Sequence, residues 1–130
     1  MLNKSGIYKA TYASPVQILA DPNLQFSVGC IVPTVAGIAT NDGRMIAQAG
    51  LPITVDLSNL NEACKVANTT NIVNAILLHD VDVTNGQNNG TALIFGFVDL
   101  SKVSSAMVNR INTAFNVPGA TKNIILLSTK

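Results

Sequence analysis

Tryptophan is absent from this sequence, histidine occurs once, and cysteine occurs twice. Charged residues make up only 12% of the chain, where an ordinary soluble domain carries about 25%. Each shortage removes a class of function. With aromatics at 5% and no Trp, the sequence offers few platforms on which single-stranded bases stack. The eight basic residues are scattered from Lys4 to Lys130 and never form a run, so no segment is equipped to neutralise neighbouring phosphates. Nucleic acid is therefore not an expected partner. One histidine denies a single copy any two- or three-histidine metal site. No P-loop, GxGxxG or GxSxG pattern occurs. The longest apolar stretches, such as Ile72 to Leu78 and Leu93 to Val98, fall far short of the ~18 residues of a membrane-spanning helix. Lys4 and Lys9 are followed by no apolar stretch of signal-peptide type, so the chain is expected to be made and used without secretion.

What is present is apolar and amide-rich. Hydrophobic residues make up 48% of the 130 residues, and the mean hydropathy is +0.36. Surface scaling for 13.6 kDa gives a folded area of roughly 6,600 Å², against about 19,700 Å² unfolded. That supports one domain with one core. A surface so poor in charge is covered by Asn, Thr, Ser and apolar groups, and it suits contact with other polypeptide.

Along the chain, residues 1–22 have weak periodicity and two prolines, Pro15 and Pro22. They read as an N-terminal arm or a loosely attached strand, with a single β-rich domain over 23–130. Phe26, Val28 and Cys30 alternate with Gln25, Ser27 and Gly29, the period-two pattern of a half-buried strand. Gly37 to Thr40, Asn41-Asp42-Gly43 and Arg44 to Ala47 read as a hairpin, with Asp-Gly supplying the positive φ of a tight turn. Ile53, Val55 and Leu57 alternate with polar residues, and Pro52 marks an edge strand or a first position. Asn59 to Ala63 has room for one helical turn. Ile72 to His79 fits a buried strand, and Val81 to Val83 a short one. Thr91 to Val98 is apolar on both faces, as in a strand covered on both sides.

One helix is predicted over about 104–116. Ser101 or Ser104 caps it, Met107, Ile111, Ala114 and Phe115 recur at helical spacing, and Asn116 with Pro118-Gly119 ends it. Ile124 to Ser128 reads as a final strand. The expected fold is mainly β: a small β-barrel or β-sandwich-like domain with one C-terminal α-helix and an extended N-terminal arm.

The single suggestive cluster for chemistry is His79-Asp80-Val81-Asp82. Asp80 and Asp82 share one face of an extended segment and offer oxygen ligands to a hard cation. The alternative is that these acids cap a strand end by bonding to turn amides, and that reading is preferred. Cys30 and Cys64 form no CxxC and lie in largely apolar settings. They read as two small buried apolar residues; a disulfide between them stays open, and use inside a cell argues against it. The loop Thr84 to Gly90 reads as a hairpin connection with Gly86 and Gly90 at positive φ. Because it is carried on two strands, it is also a contact element, with Asn85, Gln87, Asn88 and Asn89 as its candidate residues. No catalytic residue, cofactor or metal is expected.

Three phrases carry a resemblance: Val55-Asp56-Leu57-Ser58-Asn59; Ile76-Leu77-Leu78-His79-Asp80-Val81-Asp82-Val83-Thr84-Asn85-Gly86; and Asn89-Gly90-Thr91 through Phe97-Val98-Asp99-Leu100. Together, over residues 29–115, they resemble head decoration and head fibre proteins of tailed bacteriophages, and more distantly the decoration proteins of lambda-like phages. The resemblance implies a non-catalytic protein of the virion surface, commonly a homotrimer, that binds the major capsid protein and in some cases a fibre protein. It also implies that the N-terminal segment adds to the shell, with Ile7, Tyr8, Tyr12, Pro15 and Val16 as its contacts. The C-terminal piece from Ser101 to Lys130 departs from the lambda-like pattern and leaves cementing and fibre anchoring both open. A small-ligand or carbohydrate-binding β module is the alternative from another class, and a metal-dependent hydrolase using His79, Asp80 and Asp82 is a third.

Overall fold

A computed structural model describes residues 18–20, 23–68 and 70–127. In chain order the strands are β1 (Phe26–Val32), β2 (Ile38–Ala39), β3 (Met45–Ala47), β4 (Pro52–Thr54), β5 (Lys65–Val66), β6 (Ala75–Leu77), β7 (Val81–Asp82) and β8 (Asn88–Asp99). Helix α1 (Ser105–Phe115) and strand β9 (Ile124–Leu127) follow. The protein is mainly β, and its described residues form two sheets and one C-terminal α-helix.

The larger sheet is organised by β8. Along one edge β8 pairs antiparallel with β1, from Val32↔Asn88 to Phe26↔Phe95. It also pairs antiparallel with β6 (Ile76↔Leu93) and parallel with β9 (Ile124↔Gly96 to Leu127↔Asp99). The strand order is β9-β8-β6-β4-β5, with β1 added to β8. The smaller sheet is β2-β3-β7. Its β2–β3 hairpin turns on Gly43 at φ +84°, the left-handed conformation expected at Asp-Gly.

One core joins the sheets. Ile18, Leu51, Ile53, Ile76, Leu93 and Val98 are among its fully or nearly fully buried side chains, each contributing about 1.5–3 kcal/mol by leaving water. Gly90 is required for this packing. A Cβ there would lie 2.8 Å from Val32 Cγ2, 3.0 Å from Val81 Cγ2 and 3.2 Å from Leu77 Cδ1. The absent side chain lets β8 pass between the two sheets' apolar residues. Helix α1 buries Met107, Ile111 and Ala114, a spacing that keeps one apolar stripe facing inward, and it packs against β4.

Several sequence expectations shift. Pro52 takes a first strand position, but the strand ends at Thr54 and Leu57 is 56% exposed; the turn stapled by Asp56 interrupts the alternation. Residues 59–63 form turns and a bridge instead of a helical turn. Strand β6 is only the centre of the run expected from Ile72 to His79. Gly86 has positive φ (+133°), whereas Gly90 does not and belongs to β8. The helix cap is Ser104, whose hydroxyl accepts from the Met107 amide at 3.4 Å; Ser101 is engaged by Asp99 instead. Ile18 and Leu19, late in the stretch read as an arm, are buried, and Leu19 bridges Val98.

Candidate functional site

Of the residues singled out in the sequence, Ile7, Tyr8, Tyr12, Pro15 and Val16 lie outside the described residues. Asn85 and Gln87 are exposed in the turn after β7, and Asn88 and Asn89 are exposed as the first residues of β8. Asn88 works on its own backbone surroundings: its amide nitrogen donates to the Asp82 carbonyl at 3.1 Å, and its side-chain oxygen accepts from the Asn89 amide at 2.8 Å.

The acids cap turns. Asp56 accepts from the Ser58 amide (3.0 Å) and hydroxyl (2.6 Å), Asp82 from Thr84 (2.9 and 2.6 Å), and Asp99 from Ser101 (3.0 and 2.6 Å). Asp42 accepts from the Thr40 hydroxyl and from Arg44 Nε. These donors favour the ionised carboxylate. In each case the neighbouring hydroxyl, of Thr40, Ser58, Thr84 or Ser101, is the largest influence holding the acid below its ordinary range.

The His79-Asp80-Val81-Asp82 run therefore does not converge. Asp80 accepts from the Ala49 amide at 2.7 Å, while Asp82 serves Thr84 and stands 3.9 Å from Arg44. His79 Nδ1 is buried with no hydrogen-bond partner among the described residues. Among those residues no three His, Cys, Asp or Glu side chains are grouped to hold a metal ion.

Two features could not be settled from the sequence. The first is the meeting of Cys30 and Cys64, both buried and free. An Ile31↔Ala63 parallel bridge, with the Cys64 amide donating to the Ile31 carbonyl at 2.9 Å, brings them together. The two thiols influence each other: the Cys64 side chain lowers the Cys30 thiol from its ordinary value, while the Cys30 side chain, with burial, pushes Cys64 up.

The second is an apolar sheet face. Phe26 and Phe95 are direct antiparallel partners, so their side chains leave the sheet on the same side. Phe97 and Asp99 follow at two-residue steps and share that side. Their parallel partners are Ile125 and Leu127. Phe26 is 59% exposed, Phe95 and Ile125 each 44%, and Leu127 38%. The sequence pattern had placed β8 under cover on both faces; the bare side follows from the helix lying over β4 instead. The one acid here, Asp99, turns its carboxylate to Ser101. Strand β9 also ends the sheet: among the described residues it pairs only with β8, and no strand lies on its other edge. No local sequence signal distinguishes Phe26 or Phe95 from buried strand residues.

A cleft of about 400 Å³ separates α1 from β4 and β5, with Pro52, Val66 and Ala114 on its apolar walls and Asn68, Asn109 and Arg110 supplying polar groups. Scanned against models of protein families, the chain matches none, and a search of curated proteins likewise finds no match.

Proposed function

We propose that this chain is a structural virion protein of a tailed bacteriophage, bound to the outer surface of the capsid through protein–protein contacts. The carrying observation is the exposed apolar face of Phe26, Phe95, Ile125 and Leu127, on which Asp99 is the one acid, beside strand β9, which has no second neighbour among the described residues. Those four side chains present roughly 350 Å² of apolar surface. A stable pairwise interface buries about 800 Å² per partner. A contact of this smaller size is weak alone and becomes effective when repeated on a multi-copy lattice such as a shell.

The major capsid protein is the proposed occupant of the face, and self-association as a homotrimer accompanies seating on a shell of matching symmetry. Residues Ile7, Tyr8, Tyr12, Pro15 and Val16 supply a second contact, by strand addition to the shell. The exposed residues Asn85, Gln87, Asn88 and Asn89 are the proposed contacts to a fibre protein or a neighbouring subunit. The likeness of residues 29–115 to head decoration and head fibre proteins supports the same reading.

The test is binding of purified chain to isolated heads lacking it, read by sedimentation and by electron cryomicroscopy. Ordered copies at symmetric shell positions, lost in Ile125→Asp, are the expected result. Absence from purified particles, together with no binding to heads, overturns the proposal.

A second reading, a small-ligand-binding module, has the cleft beside α1 in its favour: apolar walls with Arg110 and two asparagine amides suit a ligand with an apolar body and an anionic end. Ligand-induced chemical-shift changes confined to Val66, Asn109 and Arg110 would support it.

A further inference from the structure

We infer that Cys30 and Cys64 are a disulfide-forming pair, converted to an intramolecular cystine by exchange with a small-molecule disulfide such as oxidised glutathione. The two side chains come from different parts of the chain, strand β1 and the segment leading into β5, and only the fold brings them together. The Ile31↔Ala63 bridge and the Cys64 amide bond to the Ile31 carbonyl (2.9 Å) hold the two backbones side by side, with Cys30 one residue before the bridged pair and Cys64 one residue after it. Both residues belong to one core cluster, so neither segment needs to cross solvent to meet the other.

Access is from one side. Cys30 contributes to the lining of a surface cleft of about 410 Å³, whose other walls include Leu60, Asn61 and Asn89. Cys64 does not line it. This asymmetry orders the chemistry. Cys30, the cysteine on the cleft, is the one a disulfide reagent meets first, and the Cys64 side chain beside it lowers its thiol from the ordinary value. The Cys30 thiolate attacks one sulfur of oxidised glutathione. The glutathione S–S bond breaks, a Cys30–glutathione mixed disulfide forms, and the first glutathione thiolate leaves and takes up a proton. Cys64 then gives its proton to water and attacks the Cys30 sulfur, expelling the second glutathione thiolate. Two protein thiols are oxidised, one glutathione disulfide is reduced to two thiols, and no other reactant is needed.

The product ties β1 to the Asp56–Cys64 turn region and closes a long loop, which restricts the unfolded chain more than the folded one. For a protein carried on a particle, as proposed above, the oxidant arrives when the particle leaves a reducing cell interior. That timing rests on the proposed function; the exchange chemistry does not.

The experiment uses the purified, reduced full chain with oxidised glutathione at about pH 8, near the ordinary thiol pKa. The expected product is a monomer lighter by two hydrogens and free of glutathione, with peptide mapping that joins the Cys30 and Cys64 peptides and a raised melting temperature. Cys64→Ser is expected to stop at a glutathione adduct on Cys30, while Cys30→Ser stays largely unmodified. Because the unaltered protein gives the primary readout, a variant that fails to fold does not blunt the test. Two thiols that persist in the folded chain while the urea-unfolded chain oxidises overturn the inference. So does a stable glutathione adduct on the unaltered protein, or a disulfide found only between chains. None of these results depends on binding to phage heads.

Discussion

Phe26 stands directly opposite Phe95 across the antiparallel β1–β8 pair, and both side chains are exposed. One step further along, the register slips: Ser27 pairs with Leu93, so Ile94 has no partner on β1. The irregularity sits where the strand passes from a side buried in the core to a side left bare. A bulge at such a point re-aims side chains, and here its result is two aromatic rings on the open side of a charge-poor sheet.

Replacing Phe26 or Phe95 by Ser separates stability from association. An exposed cross-strand aromatic pair contributes roughly 0.2–1 kcal/mol, so each single variant is expected to lose no more than about 1 kcal/mol. Urea titration of both singles and the double measures their coupling. Head binding is expected to fall at least tenfold in either single variant.

Gly90 and Gly29 make a contrast within one strand pair. A Cβ at Gly90 meets three side-chain carbons at 3.2 Å or closer, while a Cβ at Gly29 meets nothing within 4 Å. Gly90→Ala is expected to cost about 1–3 kcal/mol through overpacking. Gly29→Ala is expected to be neutral or to add up to ~1 kcal/mol by restricting the unfolded chain. Equilibrium unfolding of the two variants gives opposite or clearly unequal shifts.

Acid should weaken the fold. Asp42, Asp56, Asp82 and Asp99 all have carboxyls held below the ordinary value by turn donors. A depressed folded pKa contributes stability that is present above the unfolded value, about 3.9, and lost as pH falls through the folded value. The urea midpoint is therefore expected to be level above about pH 5 and to decline below about pH 4. Asp82→Asn should start lower at neutral pH and decline less steeply. A midpoint that rises on acidification would contradict this account.

Ser104 and Ser101 test the helix start. The Ser104 hydroxyl accepts from the Met107 amide and donates to Gln48 Oε1 at 2.9 Å. Ser104→Ala is expected to cost ~1 kcal/mol, the usual loss of an N-cap. Ser101→Ala should leave helical circular dichroism at partial urea unchanged, because its hydroxyl serves Asp99. Comparing the two melting curves separates a cap from a turn staple.

The elements most legible in the sequence are those set by local chemistry. Asn41-Asp42-Gly43 predicts the β2–β3 turn because only a residue without Cβ enters its left-handed position without strain. The run Ser104 to Asn116 predicts α1 because a cap, a helical apolar spacing and a Pro-Gly stop agree with one another. Asp82, at the end of β7, was read as a partner of turn amides and is one, since Asp two residues before Thr or Ser bonds its own backbone neighbourhood.

Contacts between distant segments were less legible. Cys30 and Cys64 look like unrelated core residues until the Ile31↔Ala63 bridge joins them. The Asn-Gly stretch after β7 reads as loop, yet Asn88 to Gly90 is recruited into β8 by Val32, Ile31 and Cys30. Ile72 to His79 and Thr91 to Val98 both carry enough Ile, Leu and Val to be buried anywhere, so their pattern cannot state how many residues pair or which side is covered.

By itself, then, the sequence determined a charge-poor, mainly β chain with its turns and one helix in place, because periodicity, caps and turn residues act over a few positions. The tertiary structure alone decided that α1 lies over β4, that β9 runs parallel to β8 as the last described strand of its sheet, and that Phe26 and Phe95 stay exposed. Burial is a property of what packs above a residue. Two phenylalanines with the same local pattern are core or surface according to where one distant helix comes to rest.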